Sequence, residues 1–181
     1  MTLKYSLTED DYLQNQLYIA STTERIKRQR RQSLIVVVFA FIALTALFYQ
    51  TDNKLLTYYF AALSILVLIF YPFYLRNRYK RYYQEFIADS YKERFGEYTT
   101  IVFSEETLDT FDRTGEAKLN YSVFEEIIET SNHIFIKVKT GGSLIIPKFG
   151  AENLEKVILT LKALANRLKI KYSNKLNWKW K

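Results

Sequence analysis

The chain has 181 residues, 49% of them hydrophobic and 25% charged, with a net charge of +7. It contains no cysteine and one histidine, His133. That composition excludes a disulfide framework, a thiolate nucleophile, and cysteine or paired-histidine metal sites. Charge is segregated, because residues 34–75 hold only Asp52 and Lys54, and one globular core does not distribute charge in this way.

Leu3, Tyr5 and Leu7 alternate with polar residues, which predicts a short N-terminal strand. Thr8 then offers an N-cap, and Glu9, Asp10 and Asp11 suit a first helical turn. No Gly or Pro occurs before Pro72. A helix from about residue 9 is therefore expected to run, with a bend, into the first apolar run. Residues 1–33 as a whole form a cytoplasmic N-terminal segment.

Two apolar runs follow, at about 34–50 and 55–75. At about 1.5 Å per residue they are roughly 25 and 31 Å long, against a bilayer core about 30 Å thick. Thr51, Asp52, Asn53 and Lys54 join them, so the two helices must lie side by side and antiparallel. A buried soluble hairpin is disfavoured because two such runs are hard to cover in a chain this small. A cleaved signal peptide is disfavoured because 33 residues precede the first run and a second run follows at once. Tyr49, Tyr58 and Tyr59 cluster near the connection, and Tyr71 and Tyr74 near the other end. Tyrosine favours the membrane interface, where its ring is in apolar surroundings and its hydroxyl reaches water. Pro72 cannot donate a helical hydrogen bond, which predicts a local kink.

Basic residues set the orientation. Arg25, Lys27, Arg28, Arg30 and Arg31 precede the first run, and Arg76, Arg78, Lys80 and Arg81 follow the second, while the connection has Lys54 alone. The positive-inside rule then places both termini in the cytoplasm and the chain in the cell (inner) membrane as a multi-pass protein. The basic run at 28–31 reads as a topology signal rather than a nucleic-acid patch.

Residues 76–96 keep helical character, with Tyr79, Tyr83 and Phe86 at helical spacing and Gly96 as a stop, and form a juxtamembrane helix. Residues 97–149 change period. Thr99, Ile101 and Phe103 alternate with their neighbours, as do Ala117, Leu119 and Tyr121, and Ile134, Ile136 and Val138. Thr114-Gly115 and Gly141-Gly142 are turn signals. The expected fold is an antiparallel meander of five or six strands. Residues 151–169 form an amphipathic helix with Leu154, Val157, Ile158, Leu161, Leu164, Ala165 and Leu168 on one face. Glu152 and Glu155 open it and Arg167 and Lys169 close it, matching the helix dipole. The fold class is thus a membrane helical hairpin with a small cytoplasmic α+β domain over 97–169, a half-barrel capped by its C-terminal helix.

The remaining tail, 170–181, has no acidic residue. Lys175, Trp178, Lys179, Trp180 and Lys181 suit an anionic membrane surface, at about 1 kcal/mol per basic residue. Together with Arg28, Arg30, Arg31, Arg76, Arg78, Lys80 and Arg81 they are the candidate membrane-surface contacts. Single-stranded nucleic acid is a minor alternative for a lysine and aromatic mixture.

The layout resembles the YcxB-like family of bacterial membrane proteins. Leu7-Thr8-Glu9-Asp10-Asp11-Tyr12-Leu13 is similar to that family's opening. The run from Tyr121 through Ser122, Val123, Phe124, Glu125, Glu126, Ile127, Ile128 and Glu129 to Thr130 is similar to its central segment, where the family often has tryptophan at the position of Tyr121. Ile145-Ile146-Pro147-Lys148-Phe149 is similar to its segment before the last helix. The resemblance implies a cytoplasmic domain similar to bacterial pleckstrin-homology-like (PH-like) folds, and carries no activity with it.

No glycine-rich phosphate loop is present. His133 follows Asn132 at an expected turn and reads as an ordinary exposed histidine. Glu105, Glu106, Asp109, Asp112 and Glu116, then Glu125, Glu126 and Glu129, form two acidic clusters. Such clusters can do acid–base work or hold a hard cation, but solvated hairpin edges are the favoured reading. No catalytic residue, metal or cofactor is assigned. The chain is expected to be a non-enzymatic, membrane-anchored binding or regulatory module. Its expected partners are the lipid bilayer together with a protein partner or a second copy of itself. The alternatives are a structural subunit of a larger membrane complex, with the small residues Ala40, Ala43 and Ala46 at its helix interfaces, and a membrane-surface enzyme using the carboxylates.

Overall fold

The computed structural model describes residues 1–113, 115–149 and 153–180. Thr114, Glu152 and Lys181, which carry sequence expectations, lie outside them. The chain divides into two compact units. One contains Met1–Gln16 and Gln84–Lys179, and the other contains Leu17–Tyr83 with Trp180.

The first unit holds two four-stranded sheets. Strand β1 (Thr2–Ser6) pairs antiparallel with β2 (Tyr98–Phe103), which pairs with β3 (Thr107–Asp112), which pairs with β4 (Gly115–Asn120). After a short 3-10 turn at Tyr121–Val123 the second sheet begins, with β5 (Phe124–Thr130), β6 (His133–Val138) and β7 (Ser143–Pro147) as an antiparallel run. Six strands therefore lie within 97–149, the upper end of the expected number. Helix α4 (Leu154–Leu168) then crosses back and delivers β8 (Lys171–Lys175) beside β5, in parallel. Helix α1 (Glu9–Thr22) begins in this unit.

Local chemistry accounts for these elements. Alternation places Leu3 and Tyr5 on the buried face of β1, with Leu3 opposite Ile101. At the start of α1 the Thr8 amide and hydroxyl donate to Asp11 Oδ2 at 2.6 and 2.7 Å, and the Asp11 amide approaches Thr8 Oγ1 at 3.4 Å. This is a reciprocal cap that satisfies amides the helix leaves open. Between β5 and β6 the Thr130 hydroxyl donates to the His133 carbonyl and accepts from the His133 amide, which closes the turn. Gly96, with φ of +75°, turns the chain into β2 and donates its amide to the Leu7 carbonyl at 2.9 Å. On α4 the buried residues Val157, Leu161, Leu164 and Ala165 follow helical spacing, and Lys169 ends the helix in a left-handed conformation.

The core of this unit is aliphatic and aromatic, with Ile127, Ile134, Ile136, Ile146, Phe124 and Phe135 almost wholly buried. Strand β6 buries both faces, Ile134 and Ile136 on one side and His133 and Phe135 on the other. Among the polar side chains enclosed with that core, His133 and Glu129 correct the sequence reading. His133 is 5% exposed rather than solvent-facing. Its Nε2 is hydrogen-bonded to Asp11 Oδ1 at 2.7 Å, and its ring stacks on Phe135 at 5.6 Å. Glu129, expected on a solvated edge, is 6% exposed. It accepts from Lys148 Nζ and from the Tyr172 hydroxyl, each at 2.7 Å. Buried polar groups are stable only when so paired. The exposed acidic residues of the two clusters, Glu105, Glu106, Glu116 and Glu125, remain at the surface as expected.

The second unit is a helical hairpin. Helix α1 ends at Thr22, and after Thr23 α2 runs Glu24–Gln50. This is the bend expected before the first apolar run. Helix α3 runs Lys54–Tyr91 without interruption, so the second apolar run and the juxtamembrane helix are one element with Pro72 inside it. In the connection Asp52 takes φ of +56°, and Asn53 Oδ1 accepts the Leu56 amide at 3.2 Å, capping α3. The helices touch near the connection and near the open end. Phe48 stacks on Phe60 at 5.2 Å near the connection, and the Ser33 and Tyr71 hydroxyls meet at 2.7 Å near the open end.

Burial pushes the pKa values of Asp11 and Glu129 up, but hydrogen bonds from His133 and Thr8 to Asp11, and from Lys148 and Tyr172 to Glu129, outweigh it and leave both below the usual carboxylate range. A lowered folded value means that these groups stabilise the fold at neutral pH. That stabilisation is lost as pH falls through the folded value, beginning below about pH 4. Denaturant unfolding of the full chain in detergent should show this loss between pH 7 and pH 3. Glu129→Gln should cost about 3 kcal/mol at pH 7 and flatten the acid limb; unchanged stability and an unchanged slope would contradict the pairing.

Candidate membrane interface

Both long helices carry large apolar side chains on open faces. On α2 these include Ile35, Val36, Phe39 and Leu47, and on α3 Leu55, Ile65, Phe70 and Phe73. The most apolar 18-residue window of each helix has no buried residue, and the mean hydropathy of the windows is 2.2 and 1.9. Both helices are thus long and apolar enough to cross a membrane. An apolar surface of this extent is far larger than a soluble monomer exposes to water. Tyr49, Tyr58 and Tyr59 are exposed around the connection, and Tyr71 stacks on Tyr74 at 5.9 Å near the other end. The tyrosines therefore mark the two ends of the apolar band, as the sequence predicts.

The basic residues follow from helix geometry. Arg31 and Arg28 lie about 4.5 and 9 Å before Leu34 along α2, and Arg78 and Arg81 about as far beyond Leu75 along α3. A headgroup layer is about 5–8 Å thick on each side, so these side chains reach phosphate depth when the apolar band is immersed. Arg28, Arg31, Arg76, Arg78, Lys80 and Arg81 are exposed. The structure separates Arg30 from them. It is half-buried, with its guanidinium carbon 4.9 Å from the Trp180 ring and 5.9 Å from the Tyr79 ring. Trp180 is 7% exposed and donates its indole N–H to the Arg76 carbonyl at 3.2 Å. Arg30, Tyr79, Arg76 and Trp180 therefore form one cation–aromatic cluster at the basic end of the hairpin.

The tail is more ordered than its composition suggests. Its residues Lys171–Lys175 form β8, with the Ser173 hydroxyl on Glu126 and Lys171 Nζ 3.6 Å from Glu126 Oε1. Lys175 and Lys179 are exposed and Trp178 is half-buried. The sequence had no signal for the inward turn of Trp180, because a tryptophan among lysines reads the same whether it meets lipid or protein. Among the described residues no three His, Asp or Glu side chains converge as a metal site requires.

The two tryptophans allow a direct check. In full-length protein carrying Trp180 alone (Trp178→Phe), emission should be blue-shifted and resistant to acrylamide, and Arg30→Gln should raise quenching by about twofold or more if it loosens a contact of about 0.5–1 kcal/mol. Quenching of Trp180 equal to that of an exposed tryptophan would contradict the cluster.

No curated protein and no solved structure matches the chain. Residues 103–161 match the family model described as YcxB-like protein. The match runs from the end of β2 into α4 and contains the Tyr121–Thr130 and Ile145–Phe149 runs that carry the sequence resemblance. This segment, which contains most of both sheets, is YcxB-like.

Proposed function

We propose that the protein is a membrane-anchored, non-enzymatic binding or regulatory module, held by the α2–α3 hairpin in the cell (inner) membrane with both termini in the cytoplasm. The observation that carries this reading is the open apolar band of both helices, bounded at one end by arginines and lysines and at the other by a connection with Lys54 alone. The positive-inside rule supports the cytoplasmic assignment. The strand pairing supports a common side for both flanks. Strands β1 and β2 flank the hairpin in sequence and share one sheet, as the flanks of a chain that crosses twice would.

The working part is then the two-sheet unit. Its two largely antiparallel sheets followed by one amphipathic helix support a PH-like reading, with β8 as an addition to the expected pattern. Its exposed Lys175 and Lys179, with Trp178 between them in sequence, favour contact with anionic inner-leaflet lipid over a protein partner.

Two measurements test this. The chain lacks cysteine, so single cysteines at Asn53 and Lys179, both exposed, give a clean background. Impermeant maleimide should label position 53 in intact cells and position 179 only after permeabilisation; the reverse pattern would overturn the orientation. In proteoliposomes, nitroxide headgroup lipids should quench tryptophan more strongly in phosphatidylglycerol than in phosphatidylcholine, and the difference should vanish in ~0.5 M salt. Equal quenching in both lipids would remove the electrostatic lipid contact.

A further inference from the structure

A cavity of about 350 Å³ opens beside the end of β2, the turn at Tyr121 and one face of α4. Its α4 side consists of Thr160, Ala163, Leu164 and Arg167, spaced so that all four share a helix face. Phe103, Tyr121 and Leu164, all largely buried, give carbon walls. The Tyr121 hydroxyl is committed elsewhere, donating to the Ser104 carbonyl at 2.8 Å, so the phenol offers its ring. Above that ring stands the Arg167 guanidinium, 5.2 Å from the centroid. Arg167 is exposed and makes no ion pair among the described residues. No carboxylate lines the cavity. Asp109, beside it, accepts from the Ser104 hydroxyl at 3.3 Å.

This combination has a chemical reading. A guanidinium stacked on an aromatic face keeps its in-plane N–H donors, the set that matches a carboxylate or phosphate in bidentate fashion. Ser104 and Thr160 also line the cavity, with their hydroxyls donating to Asp109 and to the Lys156 carbonyl, so Arg167 is the anion-binding group. The volume lies at the lower end of about 300–1,000 Å³ for small-molecule pockets. It equals about a dozen water volumes at ~30 Å³ each, which admits an occupant of about ten heavy atoms and excludes a two-chain phospholipid. We propose that this cavity binds a small amphipathic anion, a medium-chain carboxylate or monoalkyl phosphate, with its tail against Phe103, Tyr121 and Leu164 and its head on Arg167.

The chain provides its own reporter. Met1 is the sole methionine, lines the cavity and has its sulfur 3.5 Å from Thr160 Oγ1. Full-length protein labelled with [13C-methyl]methionine, its intact mass confirming Met1, would be placed in nanodiscs and titrated with sodium octanoate and with octyl phosphate. At least one anion should shift the single methyl resonance saturably, while octyltrimethylammonium should not. Arg167→Gln should weaken binding by about tenfold or more, the loss expected of a charge-assisted hydrogen bond. Ala163→Trp, a change at an exposed position that fills the cavity, should abolish it. No saturable shift with either anion, an equal response to the cation, or wild-type affinity in Arg167→Gln would overturn the proposal.

Discussion

Strand β1 meets β2 in register, Thr2 opposite Val102 and Ser6 opposite Tyr98, although the whole helical pair lies between them in sequence. The Met1 nitrogen and carbonyl extend the same ladder onto Phe103. Backbone donors and acceptors in a packed sheet must find partners, so the sheet is complete only when the first residues of the chain join those made after the hairpin. The entropic cost of closing so long a loop grows only with the logarithm of its length. A hairpin inserted there is therefore tolerated, provided that its two ends return to the same place. A pair of helices with a short connection satisfies that condition.

The two units solve opposite solvation problems. In the sheet unit, Ile, Phe and Leu side chains are withdrawn from water, and His133 and Glu129, buried with them, are paired, the first with Asp11 and the second with Lys148 and Tyr172. In the hairpin the large side chains point outward along the apolar runs, and the contacts between the helices are a few aromatic stacks and the Ser33–Tyr71 hydrogen bond. Such a surface has low free energy only in an apolar solvent. The same residue types therefore serve as core in one unit and as solvent-facing surface in the other.

The positive charges divide along similar lines. Most of the arginines beside the apolar runs are exposed. Arg30 instead lies against Tyr79 and Trp180, and Arg167 lies against Tyr121. In both cases an aromatic face holds the guanidinium in place.

Much of this architecture was legible in the sequence because it depends on local periodicity. Uninterrupted apolar runs marked α2 and α3, a period of two marked β2, β4 and β6, and a period of 3.6 with charged ends marked α4. The connection at residues 51–54 and the acidic start of α1 were legible for the same reason, since turn and cap chemistry acts over a few residues. Tertiary structure alone decided which distant residues meet. His133 looked like a surface histidine until Asp11 was brought to it from the far end of the chain. Glu129 looked like a solvated carboxylate until α4 brought β8, and with it Tyr172, alongside β5. Lys171–Lys175 looked like a charged tail until they paired as a strand, and Trp180 looked like a lipid anchor until it covered Arg30. A sequence pattern records which face of an element is apolar, but the partner of a buried polar group is set by the path of the whole chain.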